Sequence, residues 1–237
     1  MKRQELLLAG SAGMLAAFSP TVGTIARAQD AAVASIPNRG RPLRVPAGPI
    51  NVAFVIGPMA TVIDFTGPWE VFQDGLDNST LYTVAATSDP VEATAGLMVL
   101  PHYTFKTAPQ PHVIVVGAQR NLPESIAWVR EASAKTDVTM SVCTGAFLVA
   151  RAGLFDGQYA TTHHEFYDKF AALFPKVKLV RGQRFVENPG TSAAGGLTSG
   201  MDLALRVVER YYGADHAQQT AYYMEYKRNQ RPTLTQA

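Results

Sequence analysis

Ser141-Val142-Cys143-Thr144-Gly145-Ala146-Phe147-Leu148 surrounds the only cysteine in 237 residues. Asp137 to Val142 reads as a short apolar strand, and Thr144 to Ala152 as a helix closed by Gly153. A cysteine between them stands at a strand-to-helix turn, the pattern of a nucleophile elbow. Three effects would act on a thiol there. The positive end of a helix favours a thiolate and lowers the thiol pKa. Gly145 lets backbone approach a substrate closely. Free amides near Thr144 and Gly145 can stabilise developing negative charge. The competing role is a structural core cysteine, because a free cysteine packs well as a small hydrophobe. A thiol pKa near 8.5 or above would count against both a nucleophile and a redox sensor.

The sequence on either side alternates between strand and helix patterns. Ile50 to Ile56 is a nearly continuous apolar run, as expected of a parallel strand covered on both faces. Leu81 to Thr87 and His112 to Gly117 are further strands, the latter rich in β-branched residues. Helices are expected over Gly67 to Gly75, with Pro68 in the first turn, over Pro123 to Ala134, and over His164 to Phe174. Val177 to Val180 and Arg184 to Val186 suit a hairpin around Gly182. Gly195 to Tyr212 and Ala214 to Lys227 suit two closing helices. This alternation predicts an α/β fold, a mainly parallel sheet with helices on both faces. Ligands of such sheets bind beyond the carboxyl ends of the strands, so chemistry is expected after Ile56, Val116 and Val142.

Four more stretches lie where that chemistry could draw on them. Asp64 sits among Val62, Ile63 and Phe65, surroundings that raise a carboxyl pKa and suit proton transfer. Asp64 or Thr66 could equally be a helix N-cap, and Glu70 is the alternative acid. The Gly117 and Ala118 amides could form part of an anion pocket, or simply a strand-to-helix turn. In Ala160-Thr161-Thr162-His163-His164-Glu165, a histidine could serve as base or site wall. The same residues fit a capping box, Thr162 with Glu165. Thr191-Ser192-Ala193-Ala194-Gly195-Gly196 reads as small residues opening a helix, suited to close packing.

Composition narrows the field. With 47% apolar and 17% charged residues, a large core is available. The net charge is +2, and Lys2, Arg3 and Arg27 against Glu5 account for all of it. A near-neutral body gives no purchase on phosphate, so no nucleic-acid partner is expected. One cysteine and five scattered histidines argue against a metal site, and no cofactor is expected. Residues 1–28 have a basic start, an apolar stretch from Leu6 to Phe18 and a small-residue Ala26-Arg27-Ala28 end. They read as a signal peptide cleaved before Gln29, sending the protein to the periplasm without lasting membrane attachment. Residues 29–49, rich in proline, read as a linker or N-terminal arm rather than a packed element. The domain then runs over 50–228, with a tail at 229–237.

Several stretches carry a family likeness in order: Asp64-Phe65-Thr66-Gly67-Pro68, the elbow octapeptide, Gly153-Leu154-Phe155-Asp156-Gly157, Ala160-Thr161-Thr162-His163, and Ser192-Ala193-Ala194-Gly195 to Asp202-Leu203-Ala204-Leu205. Together they resemble the ThiJ/PfpI superfamily, which implies a flavodoxin-like, class I glutamine amidotransferase-like fold. The nearest branch resembles isonitrile hydratases and the ligand domain of AraC-type regulators. The resemblance implies Cys143 as nucleophile, Asp64 as its proton partner, Thr144 lining the site and the Gly117 loop facing the sulfur. It also implies a homodimer. Thr144 stands where protease-like members place histidine, so peptidase activity is not expected. His164 stands where close relatives often carry tryptophan, and Gly117-Ala118-Gln119 departs from their Gly-Gly pair. The leading expectation is a cysteine-dependent enzyme acting on a small electrophile, in its sharpest form isonitrile hydration to an N-formamide. The alternative is a non-catalytic ligand-binding or redox-sensing module. A regulator would need a DNA-reading helix pair after residue 215, and the short remainder does not read as one.

Overall fold

Runs of β-branched and aromatic residues need apolar cover on both faces, and the alternating helices supply it. The computed structural model describes residues 40–228. In order these are β1 (Ile50–Val55), α1 (Val62–Gly75), β2 (Ser79–Ala85), β3 (Val91–Glu92), β4 (Met98–Val99), β5 (Tyr103–Thr104) and β6 (Val113–Val116). Then follow α2 (Pro123–Ser133), β7 (Val138–Val142), α3 (Gly145–Arg151), β8 (Tyr159–Ala160), α4 (Tyr167–Leu173) and β9 (Lys178–Leu179). The chain continues through β10 (Phe185–Glu187), β11 (Thr191–Ala194), α5 (Ser199–Tyr212) and α6 (Ala214–Tyr223).

Seven strands form one sheet in the order β10-β11-β7-β6-β1-β2-β5. Every neighbouring pair is parallel except β10 with β11. Val52 and Phe54 of β1 enter a core shared with α1, α5 and α6, while Ala53 and Val55 enter another shared with α2, α3 and α4. The mainly parallel sheet with helices on both faces is as the alternation predicts.

Several local expectations need correction. α1 begins at Val62, so Asp64 lies in its first turn and Pro68 lies inside it; Thr61 is the N-cap. Thr66 is no cap either: its hydroxyl donates back to Val62 O at 2.9 Å. Proline marks a helix start only as a tendency, and tertiary packing carries this helix past it. The hairpin around Gly182 does not form. β9 pairs parallel with β8, and β10 pairs antiparallel with β11. Thr191–Ala194 is thus a strand, not the opening of a helix; α5 starts at Ser199. Small residues carry weak strand preference, but here they are buried between two partners, and burial decides. His164 to Phe174 divides into a 3-10 turn (His164–Phe166) and α4.

The expected arm is packed over its last part. Leu43 N donates to Arg210 O at 2.7 Å, and Arg210 Nε donates to Arg41 O at 2.8 Å. Arg206 Nη2 reaches Gly40 O at 3.3 Å. The expected signal peptide, residues 29–39 of the arm and the tail at 229–237 lie outside the described residues.

Candidate functional site

Parallel strands present their carboxyl ends at one edge, and β1, β6, β7 and β11 all do so here. Asp64 follows β1 on α1, Gly117 follows β6, Cys143 follows β7, and Gly195 follows β11. The residues that sequence spacing singled out therefore meet.

Cys143 occupies the left-handed region, with φ 58°. Such a backbone is strained for a side chain and persists only where neighbours over-determine it. Here they do. Cys143 N donates to Gly195 O at 2.6 Å, and the Thr162 hydroxyl donates to Cys143 O at 2.9 Å. The sulfur is 8% exposed by residue and receives the backbone amides of Thr144 and Leu197. Leu197 is itself left-handed, with φ 54°.

Asp64 is fully buried. Its Oδ2 accepts from Ala118 N at 2.9 Å. Its carboxyl also interacts with the Cys143 thiol, more loosely than a fully formed hydrogen bond, since Oδ1 has no partner of good geometry. Two glycines make this approach feasible. A Cβ on Gly117 would stand 2.9 Å from Asp64 Cβ. A Cβ on Gly145 would stand 2.1 Å from Val116 O, so α3 can seat against the end of β6 only without one.

Burial pushes the Asp64 carboxyl up to about 6, partly offset by the Ala118 amide and the thiol. Burial, and next the Asp64 charge, push the Cys143 thiol up to about 11 against the pull of the Thr144 and Leu197 amides. The resting pair at neutral pH is thus a thiol beside a carboxylate. The expectation of a lowered thiol pKa is corrected, whereas a raised Asp64 is as its apolar neighbours predict. A helix end contributes about 0.3–1 kcal/mol, and α3 has only seven residues. Removing a thiolate from water next to an existing anion outweighs that.

The other candidates are placed as follows. Thr144 is the N-cap of α3 without a side-chain cap bond, and its amide points at the sulfur. The Ala118 amide is engaged by Asp64, so the expected free anion-pocket donor is otherwise occupied. His163 lies beside the 195–197 turn: a Cβ on Gly196 would stand 2.4 Å from His163 Cδ2. His163 makes no hydrogen bond to Cys143 among the described residues; its Nδ1 accepts from Glu165 N at 3.4 Å. His163 is therefore the N-cap, and the capping box expected of Thr162 does not form. His164 is exposed and stacks on His163, with centroids 4.4 Å apart. Glu70 faces solvent, away from this cluster.

Sequence reasoning missed Thr162, Gly195 and Leu197 as neighbours of the cysteine. Thr162 carried a convincing capping signal instead. Nothing in the sequence marks Leu197 for a left-handed backbone, which leucine rarely adopts.

The DJ-1/PfpI family profile matches residues 50–210. Isonitrile hydratase of Pseudomonas putida is 29% identical over 184 residues, covering 75% of this chain and 78% of that protein. The HTH-type transcriptional regulator GbdR of Pseudomonas aeruginosa is 26% identical over 70% of this chain and 48% of its own length. A solved ThiJ/PfpI family protein from Pseudomonas syringae has a TM-score of 0.68 at 26% identity, covering 85% of this chain and 81% of that one.

Proposed function

The chain belongs to the DJ-1/PfpI family, and from that membership we propose that it is a cysteine-dependent enzyme acting on a small electrophile, with hydration of an isonitrile to an N-formamide as the reaction. One observation carries this: a cysteine held in a strained turn, its sulfur between two amides and against a buried carboxylate. The 29% identity to an isonitrile hydratase supports the substrate class.

A thiol raised to about 11 is no ready nucleophile, and the criterion of 8.5 weighs against a preformed thiolate. The carboxylate beside it changes the case. When Asp64 takes the thiol proton, the negative charge that held the thiol up is gone, and the two amides favour the sulfur anion. Sulfur then adds to the isonitrile carbon, and the proton on Asp64 passes to that same carbon, giving a thioimidate. Water adds to the carbon-nitrogen double bond. The S–C bond breaks, the thiol regains a proton, and the N-formamide leaves. One water is consumed, and Asp64 ends as it began.

The test is an assay of the protein with alkyl and aryl isonitriles, and with methylglyoxal, beside Cys143→Ala. Formamide production that falls by at least about a thousandfold in the variant is expected of a lost nucleophile. Equal rates in both proteins would remove Cys143 from the chemistry. A second reading, a non-catalytic ligand-binding or redox-sensing module, draws on the near-complete burial of the thiol. It predicts saturable isonitrile or aldehyde binding without turnover.

A further inference from the structure

Cys143 is gripped from two directions, and both grips trace to one segment that follows β8. Thr162 is fully buried, and its hydroxyl donates to Cys143 O at 2.9 Å. The next residue, His163, lays its ring where a Cβ on Gly196 would be, 2.4 Å away at Cδ2. Gly196 is flanked by the two groups that hold the cysteine. Before it, Gly195 O accepts from Cys143 N at 2.6 Å; after it, the Leu197 amide reaches the sulfur. The ring is steadied in turn by His164 stacked at 4.4 Å and by the Glu165 amide on Nδ1 at 3.4 Å.

We infer that Thr162 and His163 are positioning residues: they hold Cys143 in its left-handed turn and keep the Leu197 amide on its sulfur. Without the Thr162 hydroxyl the Cys143 carbonyl loses a buried donor, and little then opposes relaxation out of the strained region. Relaxation moves the sulfur off the two amides, which destabilises its anion. The inference deepens the proposed cysteine chemistry but does not depend on isonitrile being the substrate. Alkylation of the thiol therefore tests it apart from turnover.

The chain has one cysteine, so iodoacetamide labelling followed by mass spectrometry reports Cys143 alone. Thr162→Val keeps the shape and removes the donor. At about pH 8 its alkylation rate is expected to fall about tenfold, the size of one hydrogen bond to a charged group. Thr162→Ser restores the donor and the rate. The ultraviolet absorbance of the thiolate, followed against pH, reads the same contact without a reagent: the midpoint shifts upward in the valine variant and not in the serine variant. A valine variant with the wild-type rate and midpoint, or serine and valine variants slowed alike, would overturn the inference. If the valine variant fails to melt cooperatively, His163→Ala carries the test. A slowed alkylation there supports the clamp, and a wild-type rate overturns it. A preserved valine-serine contrast beside a silent isonitrile assay would remove the hydratase reading and leave the clamp standing.

Discussion

Burying the Asp64 carboxyl with one amide and one thiol for company raises its pKa from 3.8 to about 6. A carboxyl whose pKa is higher in the folded state than in the unfolded one favours the fold while protonated. That contribution is full below about 3.8 and is lost as pH rises through about 6. Asp64→Asn, which keeps an acceptor for Ala118, is therefore expected to stabilise the protein by about 2–3 kcal/mol at pH 8 and hardly at all at pH 3.5. Urea unfolding at the two pH values measures the difference. The same substitution removes the proton acceptor, so activity is expected to fall at least about a hundredfold, the scale of general-base loss. In the wild type, kcat/KM is expected to decline below about pH 6 as Asp64 takes up its proton. A profile flat from pH 5 to 8 would take Asp64 out of the reaction.

At the scale of elements, the site exists because α3 can press against the end of β6. Gly145 makes that contact: any Cβ would strike Val116 O and the Gly117 carbonyl. Gly145→Ala is expected to cost at least about 3 kcal/mol, since backbone on both sides cannot yield as a side chain can. A shift of under 1 kcal/mol in chemical denaturation would show that α3 can move aside. The elbow was legible in Val142-Cys143-Thr144-Gly145 because strand and helix periods change there abruptly. α1 was legible only in part: its first turn carries Asp64, yet Pro68 drew the expected start five residues too late. β11 was not legible as a strand. Its residues Ser192, Ala193 and Ala194 are small, and only the pairing with β7 and β10 makes them one.

Over the whole molecule, distant segments close on a buried charge. Glu187 is 3% exposed and meets Arg206 Nε at 2.9 Å, with Arg210 Nη1 at 3.8 Å. Both arginines also donate to carbonyls of the arm, at Gly40 and Arg41. Glu187→Gln leaves buried cations short of their anion, which costs about 3–5 kcal/mol when one partner of such a pair is removed. The arm should loosen with it, so trypsin is expected to cut after Arg44 several times faster than in the wild type. Limited proteolysis read by mass spectrometry checks this; unchanged cleavage would show that Leu43 alone anchors the arm.

Hydrophobic period and turn chemistry are local properties, and they were enough to establish the α/β alternation, the elbow at Cys143 and the edge of the sheet where Asp64 and Gly117 would join it. Whether the sulfur rests as thiol or thiolate was decided only in three dimensions. That balance sets a helix end, which sequence shows, against desolvation and a neighbouring carboxylate, which depend on what folds over the site. The Leu197 amide and the Thr162 hydroxyl reach the cysteine through space from segments far along the chain, and no local pattern records such a meeting.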